Sequence, residues 1–253
     1  MRTHDRGSLR LLNDVETAAV RLVCLPHSGG SAATFRAWSA AVPAHTQLIA
    51  AQYPGHADRI ADAPADSVEE LAAQVAEDLL RLDPATPCAL FGHSLGALVA
   101  YETARVMQAR GAGPRWLFVS GAPAPELAGG GTTHRSDDED LWQSLRRLGG
   151  IEPEVAENDE LRDLLLPVLR ADIRLSETYR PAPPRAPLDC RVRGYRTTGD
   201  PLVDAAGLDA WASVCAGPFS TRQWPGGHFW FVEDPTELVG DIAAVLTGSE
   251  VLR

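Results

Sequence analysis

The strongest chemical signal in the sequence is the segment G-H-S-L-G at residues 92–96, which has Ser94 at its centre. It follows a short apolar run and precedes a stretch of helical character, the context in which G-x-S-x-G exposes a nucleophilic serine. Glycines at both ends leave room for a tight turn. Ser94 is therefore the candidate nucleophile. The alternatives are a chance match on a surface turn and an acyltransferase of the malonyl-transfer type, which also uses G-H-S-x-G.

A serine hydroxyl is a weak nucleophile unless a neighbouring base accepts its proton. Of the seven histidines, only His134 and His228 follow Ser94, and the order serine, acid, histidine is that of α/β-hydrolases. His228 lies in P-G-G-H-F at 225–229, directly after the last predicted strand, whereas the surroundings of His134 are typical of an exposed loop. We predict that His228 is the base, and that His93 packs or hydrogen-bonds beside the serine turn.

A catalytic imidazole needs a carboxylate that fixes its tautomer and stabilises its charged form. Asp200 lies in T-G-D-P at 198–201, in a turn that follows a predicted strand, and is the predicted acid. Glu126, which follows the preceding predicted strand, is one alternative. Asp204 is the other, although a position at the start of the next predicted helix gives it a simpler role as a helix cap.

Backbone N–H groups must hold the oxyanion that forms during attack on a carbonyl. The N–H of Leu95, directly after the serine, is one predicted donor. The loop P-H-S-G-G-S at 26–31 follows the first long strand, and we predict that the N–H of Ser28 is the second donor, with Gly29 the next choice. The alternative is that the glycine pair only turns the chain into the following helix.

The elements that must position these residues alternate along the chain. Strands are predicted at 20–25, 48–51, 88–92, 116–120, 190–195 and 219–224. Helices are predicted at 31–41, 67–82, 95–110, 139–148, 160–179, 204–214 and 235–246, with Ser31 and Ser67 as N-caps. Repeated strand–helix units predict an α/β fold in which a mostly parallel central sheet carries helices on both faces.

One segment breaks the alternation. Residues 125–186 contain helical stretches but no convincing strand, and they are far too long for an ordinary connection. We predict a helical insertion at 125–186 that lies over the ligand crevice, between two parts of one core at 1–124 and 187–253.

Composition narrows the class of protein. The chain has 253 residues, 45% of them apolar and 23% charged, which excludes a disordered tail or a coiled-coil rod. A net charge of −11 argues against binding to nucleic acid or to anionic membranes, and all 23 basic residues are arginine. No apolar run is long enough for a membrane span, and the polar residues 1–10 do not resemble a secretory signal.

Cysteine and histidine spacing indicates neither disulfides nor a metal site. Cys24, Cys88, Cys190 and Cys215 form no C-x-x-C pair and lie mostly in apolar runs, so we expect free thiols in a reducing cytoplasm. There is no H-E-x-x-H pattern and no phosphate-binding glycine loop. We expect no cofactor and no metal.

Taken together, the loops at 26–31 and 225–229, Q-Y-P-G at 52–55 and G-P-F at 217–219 resemble the type II thioesterases of polyketide and nonribosomal peptide pathways. The resemblance spans about residues 18–247 and implies an α/β-hydrolase fold with Ser94, Asp200 and His228 as its triad. It implies a stand-alone hydrolase, without a cofactor, that removes aberrant or short acyl groups from the phosphopantetheine arm of an acyl or peptidyl carrier protein. We expect a monomer. That family usually has arginine after Y-P-G, where this chain has His56.

The same resemblance implies that the insertion is a mobile lid over an acyl chamber. Leu141, Trp142 and Leu145 form an apolar stripe that would line the chamber, or that would only pack the lid onto the body. Five arginines near the lid could receive an acidic carrier, or could simply be solvated on helix faces; they are Arg146, Arg147, Arg162, Arg170 and Arg174.

Three other functions compete with this interpretation. A carboxylesterase or lipase would keep the triad and act on oxygen esters. An excised chain-terminating thioesterase would release a full-length product. A carrier-binding protein with a relic site would bind without turnover.

Overall fold

The computed structural model describes residues 7–151, 155, 157–183 and 186–248. A seven-stranded sheet in the order β1-β3-β2-β4-β5-β6-β7 forms its centre. The strands are β1 (Leu9–Leu11), β2 (Val20–Leu25), β3 (Thr46–Ala51), β4 (Cys88–His93), β5 (Trp116–Ser120), β6 (Arg191–Thr197) and β7 (Phe219–Trp224). Of these strands, only β1 is antiparallel to its neighbour. The predicted mostly parallel sheet is confirmed.

Successive strand residues point to opposite faces of the sheet, and both faces are buried. On one face, Val23, Leu90 and Val119 pack against helices α1 (Val68–Leu80) and α2 (Leu95–Ala109). On the other face, Cys24 and Phe91 pack against α7 (Thr236–Thr247) and the segment Ala32–Ala40. This double coverage explains why the central strands are almost continuously apolar.

The segment Ala32–Ala40 is a 3₁₀ helix, where the sequence predicted an ordinary helix at 31–41. Its buried residues are Ala32, Phe35 and Trp38, spaced by three. Three residues per turn place all of them on one face, toward the sheet. The predicted N-cap is confirmed, because the Ser31 side chain accepts a hydrogen bond from the Ala33 N–H.

Three further elements differ from the sequence-based expectation. The helix predicted at 204–214 is a short helix α5 (Ala205–Asp209) followed by a 3₁₀ turn (Ala210–Val214), and a glycine at 207 weakens the helical stretch. The three-residue strand β1 is too short for its alternation to stand out in the sequence. A short helix α6 (Trp230–Glu233) follows β7 and was also missed.

The segment between β5 and β6 contains no strand among its described residues and holds two helices. Helix α3 (Asp138–Leu148) is capped by Asp137 and ends at Gly149, and helix α4 (Asp159–Thr178) begins after the cap Asn158. Both helices were predicted. Leu141, Trp142 and Leu145 of α3 are buried against two leucines of α4, Leu166 and Leu169.

The four cysteines are free thiols, as predicted. Cys24 and Cys190 are buried, and burial raises the pKa of the Cys88 and Cys190 thiols to about 12, so both stay protonated and unreactive near neutral pH. In the described ranges, no helix combines the length and the apolar character needed to cross a membrane.

Candidate active site

Ser94 lies on a sharp turn between β4 and α2, and its backbone is strained. Its φ of 55° and ψ of −121° lie in a region that side-chain-bearing residues rarely adopt. The surrounding structure holds this conformation, because the Ser94 N–H donates to the Ser120 carbonyl at 2.8 Å and the Ala97 N–H donates to the Ser94 carbonyl at 2.9 Å. The side chain is partly exposed at the end of β4, where a nucleophile must be accessible.

The two glycines that flank the serine are required for steric reasons. A Cβ atom at Gly92 would lie 2.0 Å from the Gly96 carbonyl oxygen, and one at Gly96 would lie 2.1 Å from the Leu25 carbonyl oxygen. Both contacts are with backbone, which cannot move aside locally. The G-x-S-x-G spacing therefore follows from how closely β4, α2 and the end of β2 approach one another.

We expect Gly92→Ala to destabilise the protein by about 1–3 kcal/mol, the range typical of overpacking in a core. Gly240→Ala is the matched control, because Gly240 is exposed in α7 with no atom within 4 Å of an added Cβ. Alanine there should be neutral or stabilising by up to about 1 kcal/mol. Urea unfolding of both variants measures the difference, and equal stabilities would contradict the steric explanation.

His228 and Asp200 form a buried pair beside the serine turn. His228 Nδ1 lies 2.8 Å from Asp200 Oδ2, and the two side chains are only 1% and 2% exposed. Within the described part of the chain, His228 Nε2 is buried and has no hydrogen-bond partner, so no bond joins it to Ser94. One ring nitrogen is thus held by a carboxylate while the other is free to take a proton, and such contacts often tighten only when substrate binds.

Two loops at the carboxyl edge of the sheet bring this pair together. The Gly199 N–H donates to the Gly226 carbonyl at 3.0 Å, and Thr197 Oγ1 donates to the Gly227 carbonyl at 3.0 Å. The second carboxylate oxygen of Asp200 accepts from the Leu202 N–H at 2.9 Å. These bonds fix the Asp200 carboxylate against the imidazole.

The alternative acids occupy other positions. Asp204 is the N-cap of α5, where its carboxylate accepts from the Gly207 N–H at 2.7 Å, which is the capping role that its sequence position indicated. Glu126 is exposed in the first turn of a short 3₁₀ helix, Pro125–Leu127. Of the three carboxylates, only Asp200 is hydrogen-bonded to His228.

His93 packs behind the catalytic candidate, as predicted. Its ring centroid lies 4.6 Å from that of His228, and its Nδ1 is 3.0 Å from Ser120 Oγ. Burial lowers the pKa of His93 well below its usual range, with nearby His228 and His27 adding to the effect, so the ring stays neutral. A neutral ring adds no charge that would oppose protonation of its neighbour His228.

Gly121 makes room for these rings, and sequence reasoning missed it. Its φ is 61°, and a Cβ there would lie 2.5 Å from His93 Cε1 and 3.0 Å from His228 Cε1. In the sequence, Gly121 is only a glycine that follows a strand, which is a common turn signal. This pattern does not reveal that two imidazole rings lie against the glycine.

The candidate oxyanion donors lie on two elements. Leu95 is the first residue of α2, and the first N–H groups of a helix have no intrahelical acceptor. The loop at 26–31 forms a turn closed by the Gly30 N–H and the His27 carbonyl at 2.9 Å, with Gly29 at φ 78°. Positive φ at the third turn position requires glycine, as in a type II turn.

Two N–H groups of this loop are candidate oxyanion donors, and the N–H of Gly29 already has a hydrogen-bond acceptor. Its N–H donates to Asp172 Oδ2 of α4 at 2.7 Å. In the described residues, no acceptor binds the Ser28 N–H. The Ser28 N–H is therefore still available as the predicted second oxyanion donor.

Asp172 is also bound by His56, and neither contact was expected from the sequence. His56 Nε2 lies 2.9 Å from Asp172 Oδ2, and both residues are buried. A carboxylate on a helix 143 positions away from Gly29 leaves no local pattern that would connect the two.

The three predicted lid residues pack between α3 and α4. Leu141, Trp142 and Leu145 are 0%, 2% and 7% exposed in a cluster whose members all belong to the segment between β5 and β6, so this packing lies within the predicted lid, whereas the alternative expected it between lid and body. Their role in substrate selection stays a prediction.

The arginines near the lid are largely paired. The pairs are Arg162 with Glu139, Arg170 with Asp138 and Arg174 with Asp66. Arg146 and Arg147 are exposed at the end of α3.

Comparison with known proteins adds independent information. The family model described as "Thioesterase domain" matches residues 20–246. The thioesterase PikA5 of Streptomyces venezuelae is 39% identical over 236 residues, which cover 93% of this chain and 84% of that protein.

Solved structures agree closely in fold. The type II thioesterase BorB from the borrelidin biosynthetic cluster has a TM-score of 0.88 and 38% identity, covering 97% of this chain and 100% of that one. The thioesterase RedJ from the prodiginine pathway of Streptomyces coelicolor has a TM-score of 0.84 and 38% identity, covering 90% of this chain and 85% of that one.

Proposed function

Because the chain belongs to the thioesterase family, we propose that it is a type II thioesterase that hydrolyses acyl thioesters on the phosphopantetheine arm of carrier proteins. Family membership makes it a thioester hydrolase. The editing role, removal of aberrant or short acyl groups, is supported by its similarity to type II thioesterases such as BorB. The carrier is an acyl or peptidyl carrier protein.

The buried His228–Asp200 pair is the observation that carries the proposed mechanism. The 2.8 Å contact fixes the imidazole with Nδ1 toward the carboxylate and leaves Nε2 without a partner among the described residues. Asp200 stabilises the imidazolium that forms when Nε2 takes a proton. We assign Ser94 as the nucleophile, His228 as the base and Asp200 as the acid of the triad.

In the first half-reaction, Ser94 Oγ attacks the thioester carbonyl carbon while His228 Nε2 takes the hydroxyl proton. The N–H groups of Leu95 and Ser28 hold the oxyanion of the tetrahedral intermediate. The C–S bond then breaks, His228 returns its proton to the departing pantetheine sulfur, and the acyl group remains on Ser94. Thiolate is a good leaving group, so this step demands less of the enzyme than breaking an amide.

In the second half-reaction, His228 takes a proton from water as the water oxygen adds to the acyl-serine carbonyl. The second tetrahedral intermediate collapses to the free acid, and His228 returns the proton to Ser94 Oγ. The protein's own residues supply every proton transfer, and no cofactor takes part in the scheme.

Three parts of the proposal concern the surroundings of the site. The insertion at 125–186 acts as a lid over the acyl chamber and contributes to chain-length selection. Of the five arginines considered for an acidic carrier, Arg146 and Arg147 are exposed and have no acidic partner among the described residues, whereas Arg162 and Arg170 are ion-paired, so Arg146 and Arg147 are the proposed carrier contacts. A cytoplasmic location and a monomeric state are proposed from the sequence alone.

We expect the protein to convert acyl-carrier protein to the free phosphopantetheine form, with a kcat/KM that exceeds that for nitrophenyl esters. Mass spectrometry of a carrier loaded in turn with acetyl, butyryl and longer acyl groups measures the mass loss directly. Much faster hydrolysis of nitrophenyl esters would favour a carboxylesterase. Binding without turnover would favour a non-catalytic carrier-binding protein, and activity restricted to a full-length product would favour a chain-terminating enzyme.

A further inference from the structure

Helix α4 of the insertion contacts the loop at 26–31, here called the oxyanion loop, at two points. Asp172 Oδ2 accepts from the Gly29 N–H at 2.7 Å, and a Cβ at Gly29 would lie 2.3 Å from Leu169 Cδ2. Residues three apart lie on the same face of a helix, so Leu169 and Asp172 together cover the turn. The loop that offers the Ser28 N–H is thus packed directly against the insertion.

The Asp172 carboxylate is held from a third element as well. His56, in the loop that follows β3, places its Nε2 2.9 Å from the same oxygen, and its Nδ1 lies 2.9 Å from the Pro54 carbonyl. Burial disfavours the charged ring, but the hydrogen bond and the negative charge of Asp172, with the Pro54 carbonyl, outweigh it and raise the pKa of His56. The pair is therefore an ion pair over a wider pH range than an ordinary histidine would allow.

The loop after β3 also supports the oxyanion loop directly. Gln52 is buried, its Oε1 accepts from the Ala32 N–H at 3.2 Å, and its Nε2 donates to the His56 carbonyl at 3.1 Å. One connected network therefore runs from the insertion through His56 and Gln52, and it holds the backbone N–H groups of Gly29 and Ala32.

We propose that Asp172 is a positioning residue, which fixes the oxyanion loop from the insertion through the Gly29 N–H, and that His56 orients and neutralises its carboxylate. This deepens the proposed function and rests on it. A lone carboxylate so close to the loop would oppose the oxyanion that forms there, and the positive charge of His56 offsets that repulsion. The oxyanion site is therefore complete only when α4 lies on the loop.

The proposal predicts that Asp172→Asn lowers kcat by roughly 10- to 100-fold and changes KM by less than about threefold. The displaced loop N–H would stabilise the transition state less well, whereas substrate binding would change little. The asparagine side chain keeps the size of the aspartate and loses the charge-assisted bonds. Asp163→Asn is the matched control, because Asp163 is exposed on the same helix. Acyl-carrier hydrolysis by the full chain gives both constants.

Amide hydrogen exchange of the peptide that covers residues 26–31 provides a readout that does not depend on activity. We expect faster exchange of this peptide in Asp172→Asn. The exchange of α1 in that variant, and the exchange of the control variant, should be unchanged. His56→Gln, which keeps a hydrogen-bonding side chain without a positive charge, should give the same pattern with a smaller loss in kcat.

Unchanged exchange at 26–31, or a kcat no lower than that of the control, would overturn the role of Asp172. A raised KM with an unchanged kcat would also overturn it, since that result indicates a substrate contact. If the unaltered protein shows no thioester hydrolysis, the proposed function fails, while the exchange experiment still decides whether Asp172 holds the loop.

Discussion

Replacing Ser94 by alanine is expected to lower kcat for acyl-carrier hydrolysis by roughly 10⁴- to 10⁶-fold, because no acyl-enzyme can form. Substrate binding should change little, since the hydroxyl is small and partly exposed at the end of β4. The fold should persist, because the serine turn is held by backbone hydrogen bonds and by the two flanking glycines rather than by the hydroxyl.

Mass spectrometry of the acyl-carrier substrate measures the loss, and a fluorophosphonate label reports the nucleophile directly. Ser39→Ala is the matched control, since Ser39 is exposed and its hydroxyl donates to the Arg36 carbonyl of the same 3₁₀ helix. The label should attach to the control and to the unaltered protein but not to Ser94→Ala. Turnover that survives in Ser94→Ala, or a label on another residue, would refute the assignment of the nucleophile.

The second large effect on kcat is expected when Asp200, the proposed acid of the triad, is replaced. Asp200→Asn should lower kcat by about 10⁴-fold while leaving the backbone in place, because the amide can donate to His228 Nδ1 and so favours the wrong tautomer. The ring would then carry its proton on Nε2, the nitrogen that must accept the proton of Ser94. The side chain is buried against the imidazole, so solvent cannot substitute for the lost carboxylate.

Two control variants separate Asp200 from the other acids considered. Asp204→Asn retains a good N-cap, so activity and stability should stay close to those of the unaltered protein. Glu126→Gln changes an exposed side chain and should be neutral. Steady-state kinetics and thermal melts of all three variants make the comparison. A loss at Glu126 or Asp204 that matched the loss at Asp200 would reject this assignment.

The sequence predicted the architecture well because local patterns dictate it. Buried parallel strands read as apolar runs, and the steric demands of the serine turn leave a spaced pair of glycines at 92 and 96. His228 could be selected because few histidines follow the serine and only one follows a strand directly. Asp200 could be selected from the order of the predicted elements alone, because it follows the strand β6.

What the sequence did not reveal depends on contacts between distant segments. The contact of Asp172 with Gly29 and the space above Gly121 arise only when the insertion and the loops have assembled. The stripe at Leu141, Trp142 and Leu145 has the same apolar pattern whether it lines a chamber or packs on another helix. The pattern after β2 predicts an ordinary helix because the three-residue spacing of a 3₁₀ helix differs little from a period of 3.6.

The backbone at residue 94 has a consequence for how this protein responds to selection. A φ of 55° with a ψ of −121° strains the backbone of any residue with a side chain, and glycine would relieve this strain. Replacing Ser94 by glycine would therefore relieve this strain and remove the reactive hydroxyl at the same time. Selection for stability alone would favour that loss at position 94, whereas selection for turnover retains the serine.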